Sequence, residues 1–97
     1  MPRLRVVHTS SEVLVIICDS KLMGKEYRQG ELKLKVDESF YGGQEASVAE
    51  CLAALREATI ANLVGSIVKH AVEEGMVNRA NIIRIQGVPH AQMVRMR

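Results

Sequence analysis

The sequence has few of the residues that mark several common classes of protein. Its 97 residues include no tryptophan, three aromatic side chains and two cysteines. Three aromatic residues are too few for the stacking platform of an RNA-recognition sheet. Cys18 and Cys51 are too few for a disulfide framework and too far apart for a zinc knuckle or a redox pair. Each lies in an apolar pattern, so both are predicted to be small core residues.

A long apolar run is also missing. Val13–Cys18 is far too short to span a bilayer. The basic segment Met1–Arg5 leads into a short run that His8 interrupts, which does not match a signal peptide. We therefore expect a cytoplasmic protein without membrane contact. The length predicts one domain, residues 1–97.

The motifs of several enzyme classes are absent from the sequence. It contains no glycine-rich phosphate loop, no dinucleotide fingerprint and no serine nucleophile elbow. The three histidines are scattered, with no cysteine or carboxylate at metal-ligand spacing. We therefore predict no catalytic residues, no metal site and no cofactor, and the sequence favours a binding protein over an enzyme.

Charge is segregated along the chain. Residues 1–36 carry seven Lys or Arg and four Asp or Glu, residues 37–75 carry two and seven, and residues 76–97 carry four and none. The three segments therefore have net charges of +3, −5 and +4 within a total of +2. Basic ends around an acidic middle are more informative than this small total.

The basic first third has the pattern of strands. Arg3–His8 predicts a short strand, and Val13–Cys18 lacks polar alternation, which is typical of a central strand covered on both faces. Glu31–Val36 alternates strictly between charged and apolar residues and predicts a half-buried strand. Asp37–Gly43, which ends in paired glycines, is predicted to be a loop.

The acidic middle is predicted to be helical. Ser47 and Glu50 can form a capping box at the start of a first apolar stripe. A second stripe is rotated from the first by roughly 130°, at ~100° per residue, so one straight helix cannot bury both. We predict two helices that break near Thr59, which would cap the second, and Gly75 would end it. A single curved helix is the alternative. The stripes are Val48, Cys51, Leu52 and Leu55, and then Ile60, Leu63, Val64, Ile67, Val68 and Ala71.

The strand pattern returns after Gly75. Asn81–Gln86 and Ala91–Met96 flank Gly87–His90, which predicts an antiparallel hairpin with a four-residue turn. The element order is then β-β-β-α-α-β-β. We predict an α+β fold with an antiparallel or mixed sheet of about five strands and two helices packed on one face.

Three parts of the chain resemble a known family. They are LMGKEYRQGELKLKV with the following FYGG, then REATIANLVG, and finally IIRIQGVPHAQMVRM. These segments are similar to a short archaeal family, domain of unknown function 424, and the resemblance covers nearly the whole chain. It implies an archaeal, cytoplasmic protein and supplies no activity.

The segment GVPHAQ contains the first candidate site. Its glycine and proline restrict the backbone and stiffen a turn, and a rigid turn can also hold a titratable histidine in place. A site here would bind a small molecule or act as an enzyme if the distinctive segments meet in one cleft, with the FYGG tyrosine as a flap and the asparagine near helix N–H groups. The alternative is a stiff turn without a ligand. The candidate ligand-binding residues are His90, Gln92, Gly87, Asn62 and Tyr41.

Basic residues on the predicted strands form the second candidate site. Strand residues two apart share a face, so these cations would converge if the helices covered the opposite face. A basic sheet face is the electrostatic pattern of an RNA or DNA binder that contacts mainly phosphates. The alternative is an ordinary solvated surface. The candidate nucleic-acid-binding residues are Arg3, Arg5, Lys33, Lys35, Arg95 and Arg97.

The leading hypothesis is therefore a small cytoplasmic binding module for RNA or a ribonucleoprotein. A second hypothesis is a homodimer or another protein interaction through an exposed edge of the hairpin Asn81–Met96, because the edges of small sheets invite pairing. The small-molecule site around GVPHAQ is the third.

Overall fold

The computed structural model describes residues 1–95 and confirms the α+β class. Within those residues the chain forms a six-stranded sheet, a two-stranded sheet and three α-helices. The strands are β1 Pro2–His8, β2 Val13–Asp19, β3 Glu26–Gln29, β4 Leu32–Lys35, β5 Gln44–Glu45, β6 Ile60–Val64, β7 Ile83–Ile85 and β8 Val88–Val94. The helices are α1 Glu38–Tyr41, α2 Val48–Glu57 and α3 Ile67–Glu73, and single 3-10 turns occupy Ser20–Leu22 and Arg79–Asn81.

The large sheet is mixed, with the strand order β5-β1-β2-β6-β8-β7. β2 and β6 run parallel, and the other neighbouring strands of residues 1–95 are antiparallel. β2 lies near the centre, and its residues from Val15 to Cys18 are buried. This burial confirms the central strand predicted from the missing polar alternation.

Different layers cover the two faces of the large sheet. On the helix face, Leu55 of α2 and Ile67 of α3 pack against Val15 of β2. On the second face, α1 and the two-stranded sheet of β3 and β4, here called the ribbon, cover part of the surface, and Tyr41 packs with Ile16. Two helices therefore share one face, as predicted.

The predicted helical start at Ile60 is wrong, because Ile60–Val64 forms strand β6. This strand pairs in parallel with β2 and antiparallel with β8, so it lies between two neighbours, and it buries Leu63 toward the helix face and Val64 toward the second face. A strand covered on both faces is apolar at nearly every position and can therefore also match the i, i+3, i+4 pattern of a helix. The second long helix begins only at Ile67, and Gly75 follows its end with φ +72°.

Thr59 and Ser47 were both predicted to be helix caps, and one prediction is confirmed. Ser47 and Glu50 form the predicted capping box at the start of α2. Thr59 instead joins β6 to the start of β2: its Oγ1 accepts a hydrogen bond from Val13 N at 2.9 Å, and its N–H donates to Val13 O at 2.9 Å.

The C-terminal hairpin is confirmed, but its predicted turn is wrong. Ile85 pairs with Val88, so the turn is Gln86–Gly87 rather than Gly87–His90. The two turn residues have φ of +51° and +79°, as a two-residue turn of type I′ requires. His90 therefore lies within strand β8, where the sheet ladder fixes its backbone.

Two further segments differ in detail from the sequence predictions. The predicted loop Asp37–Gly43 contains the short helix α1, which Asp37 caps by accepting a hydrogen bond from Ser39 N at 3.0 Å. Strand β7 starts at Ile83 rather than Asn81, which ends a 3-10 turn. Within residues 1–95, no helix has the length and apolar character needed to cross a membrane.

Candidate functional site

A polar network lies on the second face of the sheet. Tyr41 Oη donates a hydrogen bond to Asn62 Oδ1 at 2.8 Å, and His90 Nε2 lies 3.2 Å from the same oxygen. Helix α1 supplies Tyr41, β6 supplies Asn62 and β8 supplies His90. These three residues, here called the Asn62 network, join the three distinctive segments that the sequence treated as parts of one site.

Two arginines of β1 hold the tyrosine of this network in place. Arg5 Nη1 donates to the carbonyl oxygens of Ser39 at 2.7 Å and Phe40 at 3.3 Å. Arg3 Nη1 donates to the carbonyl oxygen of Gly43 at 3.1 Å, just after the helix. Tyr41 itself is only 5% exposed. It is therefore an anchored core residue, and the flap interpretation is wrong.

Burial sets the protonation of the groups around the network. It raises the pKa of Tyr41 to about 12, with a smaller effect from Cys18, so the hydroxyl keeps its proton and donates it. Burial lowers the pKa of His90, which favours the neutral imidazole at neutral pH. Burial also raises the pKa of Cys18 to about 12, with a smaller effect from Asp19, so this thiol is a poor nucleophile.

An apolar row crosses the second face beside the network. Val7 is level with Leu14, Leu14 with Ile60, and Ile60 with Val94. Partners across neighbouring strands share a face, and Leu14 packs with the core of the second face. These four residues are here called the apolar row; Val7, Leu14 and Ile60 are half-buried, and Val94 is 74% exposed.

One further candidate, Gln92, lies on β8 between His90 of the network and Val94 of the apolar row. Gln92 is exposed and pairs with Asn62, so it lies on the same face. A shallow cleft is lined by His90, Gln92 and Ile83 together with Asn81 and Ala91.

Gly87 is the candidate ligand-binding residue that does not lie with the others in the structure. It lies in the turn between β7 and β8, and a Cβ atom built there would meet nothing within 4 Å. The candidates Tyr41, Asn62, His90 and Gln92 therefore come together, whereas Gly87 does not join them.

The basic candidates occupy three separate regions. Arg3 and Arg5 bond to backbone carbonyls at α1, as described above. Lys33 and Lys35 lie on the outer side of the ribbon, because the alternating residues Leu34 and Val36 are buried. Arg95 lies on the helix face, where its Nη1 donates to the carbonyl oxygen of Arg56 at 2.8 Å. Arg97 lies outside the described residues.

The ladder explains why these cations do not share one face. Met93 belongs to the core of the helix face, and strand alternation sends Arg95 the same way. Strand β4 belongs to the ribbon and not to the large sheet. The described basic candidates therefore do not converge on one exposed sheet surface.

The side chains that could bind a metal ion are the thiols, imidazoles and carboxylates. Within the described part of the chain, no three of these groups gather closely enough to hold a metal ion. Cys18 and Cys51 are both free and buried, which confirms their prediction as core residues.

The sequence interpretation missed the apolar row. Apolar residues at alternating strand positions predict a covered face, and no local signal distinguishes a covered row from an open one. Only the structure shows that three residues of the row stay half-buried and that Val94 is exposed.

The molecule is thus a small α+β domain with helices on one face of a mixed sheet and a partly open second face. The model of the family "Protein of unknown function (DUF424)" matches residues 7–96. The chain belongs to this family, which confirms the resemblance seen in its sequence.

A solved structure supports the same fold. It is the crystal structure of an uncharacterized conserved protein from Methanopyrus kandleri, similar with a TM-score of 0.80 and 25% sequence identity. The match covers 99% of this chain and 94% of that chain, and the relative is archaeal, as the resemblance implied. No curated protein matches the chain.

Proposed function

We propose that the protein is a binding module that holds a short apolar segment of a partner protein against its second face. The observation that supports this function most directly is the apolar row, which crosses four adjacent strands beside a hydrogen-bonded polar network and ends at the exposed Val94. A contiguous apolar patch with exposed surface on a folded domain can mark an interaction site.

The shape of this surface favours a protein segment over a small molecule. Sites for small molecules are concave and enclose most of the ligand, whereas the apolar row runs across the face of a sheet. Three strand spacings of ~4.8 Å give the row a length of about 14 Å, which is close to that of three helical turns.

The extent of the apolar surface favours a short segment over a whole protein. A stable complex buries about 800 Å² on each partner. Four side chains, even with the exposed Ile83 and Phe40 added, supply only a fraction of that area. A short segment with one apolar face fits a row of this size.

Photo-crosslinking tests this proposal. With p-benzoylphenylalanine at the position of Gln92, we expect a discrete protein adduct in an extract of the native cells. Val94→Asp should remove the adduct, because it places a charge on the most exposed residue of the row. The matched control is Val6→Asp, because this valine is 41% exposed but pairs with Val15 on the opposite, helix face. A protein that carries Val6→Asp should still form the adduct at position 92. An adduct that survives Val94→Asp would contradict the proposal, and so would the absence of any adduct.

Nucleic-acid binding is a second proposal, supported by the charges on the ribbon. The pairs Glu26–Lys35 and Arg28–Lys33 place three cations and one acid on its outer face. Glu26 Oε1 lies 2.8 Å from Arg28 Nε and 3.8 Å from Lys33 Nζ, so part of this charge is paired. A two-stranded ribbon with a basic face can follow a phosphate backbone, as in several β-ribbon binders.

Salt dependence tests this second proposal. Mobility shifts with structured RNA should weaken as salt rises, and Lys33→Gln with Lys35→Gln should reduce the slope of log K against log salt by about 1.4–1.8. The control of equal charge, Lys69→Gln with Arg79→Gln, lies outside the ribbon and should keep the slope. Binding that is absent at low salt, or indifferent to salt, would eliminate the proposal.

A further inference from the structure

The Asn62 network fixes the orientation and the protonation of His90. Asn62 Oδ1 accepts the proton of Tyr41 Oη and also faces His90 Nε2. An amide oxygen can only accept hydrogen bonds, so Nε2 must be the protonated nitrogen of the ring. The reversed amide would leave the proton of the buried Tyr41 hydroxyl without this acceptor, and a buried unpaired donor is destabilising. The network therefore selects the Nε2–H tautomer.

The other ring nitrogen is then an unprotonated acceptor. His90 Nδ1 has no hydrogen-bond partner within residues 1–95, and no buried side-chain nitrogen or oxygen of those residues lacks a partner. It follows that Nδ1 is open to solvent. The half-buried imidazole lines the shallow cleft with Ile83 and Gln92, and burial keeps its pKa low enough for the neutral form to dominate at neutral pH.

We infer that His90 Nδ1 is a fixed hydrogen-bond acceptor, and that the bound segment places an N–H or O–H donor against it. This inference rests on the proposed binding of a protein segment at the second face. His90 supplies selectivity there: the apolar row accepts any apolar side chain, whereas Nδ1 favours a neighbouring group that can donate. A site built to hydrogen-bond a donor discriminates against the analogue that lacks it.

Nuclear magnetic resonance tests the tautomer directly. Correlation of the imidazole nitrogens with their ring protons should give Nε2 the chemical shift of a protonated nitrogen and Nδ1 that of an unprotonated one. A spectrum dominated by the Nδ1–H tautomer would overturn the inference, since Nδ1 would then be a donor.

Two small probes test the recognition. Indole carries one N–H donor, and 1-methylindole has nearly the same apolar ring without it. We expect indole to shift the amide resonances of Ile83, His90 and Gln92 with roughly 2- to 12-fold tighter binding, the effect of one hydrogen bond. His90→Phe keeps an aromatic ring without the acceptor and should abolish the preference. If this variant does not fold, the comparison of the two probes on the wild-type protein still decides.

The outcomes separate the inference from the proposed function. Equal binding of the two probes, or binding of neither, would overturn the role of His90. The crosslink at Gln92 and its loss in Val94→Asp would be unaffected by that result, because they report on the apolar row. Conversely, a preference for indole without any protein crosslink would leave the acceptor in place and remove the partner segment.

Discussion

At the scale of single residues, Asn62 holds two groups with one oxygen atom, Tyr41 Oη at 2.8 Å and His90 Nε2 at 3.2 Å. Asn62→Leu has a similar volume and removes both hydrogen bonds, leaving the buried Tyr41 hydroxyl unpaired. We expect the free energy of unfolding to fall by about 1–3 kcal/mol in chemical denaturation. Adding Tyr41→Phe should restore part of the loss, because the unpaired hydroxyl is then gone. A neutral effect of Asn62→Leu would contradict this account of the network.

The pH dependence of stability is a second prediction at this scale. Burial lowers the pKa of His90 in the folded protein below the ordinary value of about 6.5. Between these two pKa values the unfolded chain binds more protons, so the free energy of unfolding should decrease as the pH falls below about 6.5. Denaturant titrations from neutral to mildly acidic pH would measure this slope. His90→Phe should flatten it.

The carboxylates act in a separate, more acidic window. Backbone hydrogen bonds lower the pKa of Asp37 and of Glu50, the donors being Ser39 N and Ser47 N. Since their folded pKa values are depressed, their contributions are present above the ordinary carboxyl range and are lost only as the pH falls through it. A slope near pH 6 that persists in His90→Phe would therefore contradict the assignment to the histidine.

At this scale the sequence could identify the members of the site but not their contacts. Tyr41, Asn62 and His90 were candidates because each is a polar or aromatic group within a distinctive segment. Their meeting point depends on β6 lying between β2 and β8, and that pairing is made between residues far apart in the chain. Local patterns contain no such information.

At the scale of elements, Gly65 shows why a helix was wrongly predicted where the chain forms strand β6. The helical interpretation placed this glycine inside a helix, where glycine is unfavourable relative to alanine and would let the helix approach the sheet closely. In the structure it has φ +96° and separates β6 from α3. A Cβ atom at this position would collide with Asp19 Oδ2, and the same carboxylate oxygen accepts a hydrogen bond from Ser66 N at 2.8 Å.

Two glycine substitutions test this junction as a matched pair. In Gly65→Ala and in Gly75→Ala, the new alanine must adopt the positive φ of the glycine that it replaces. This conformation costs a non-glycine residue about 1–2 kcal/mol. Gly75, at +72°, has nothing within 4 Å of its Cβ position, so its cost should stay in that range. Gly65→Ala should lower the melting temperature considerably more, because it also displaces the Asp19 carboxylate. Equal shifts for the two variants would contradict the close contact.

Other elements were predictable because their signals are local. The capping box of Ser47 and Glu50 lies within four consecutive residues, and it forms as predicted. The missing alternation of Val13–Cys18 reports burial on both faces, whatever the partners are. In the hairpin, Gly87 indicated a turn but not which residues form it. The other turn residue is Gln86, which also adopts positive φ, and a glutamine gives no sequence signal for that conformation.

At the scale of the whole molecule, segregation of charge along the chain does not become segregation between faces. The basic N-terminal third is divided between β1, where Arg3 and Arg5 bind backbone carbonyls, and the ribbon. The C-terminal strand β8 places Arg95 on the helix face, beside Arg56 of α2. The expectation that the basic residues would gather on one sheet face, opposite the acidic helices, is therefore wrong. The chain crosses between layers and places its basic residues in several of them.

The association state is the remaining property of the whole molecule, and the sheet edges allow a prediction. The large sheet ends in β7, with three residues, and β5, with two. The ribbon also packs beside the β7 end, where Gln86 N donates to Gln29 Oε1 at 2.8 Å. So short an edge offers few backbone groups to a second copy, and short edge strands limit pairing between sheets.

We therefore expect light scattering to give a monomeric mass even at high protein concentration, although a homodimer through the hairpin edge was one hypothesis from the sequence. A dimeric mass would contradict this expectation, and Val94→Asp would then locate the interface. Loss of the dimer in that variant would place the second copy on the apolar row, in competition with any partner segment. A dimer that survives the substitution would instead indicate pairing at the edge of β7. Its three residues offer few backbone hydrogen bonds, so side-chain contacts would then have to stabilise the dimer as well.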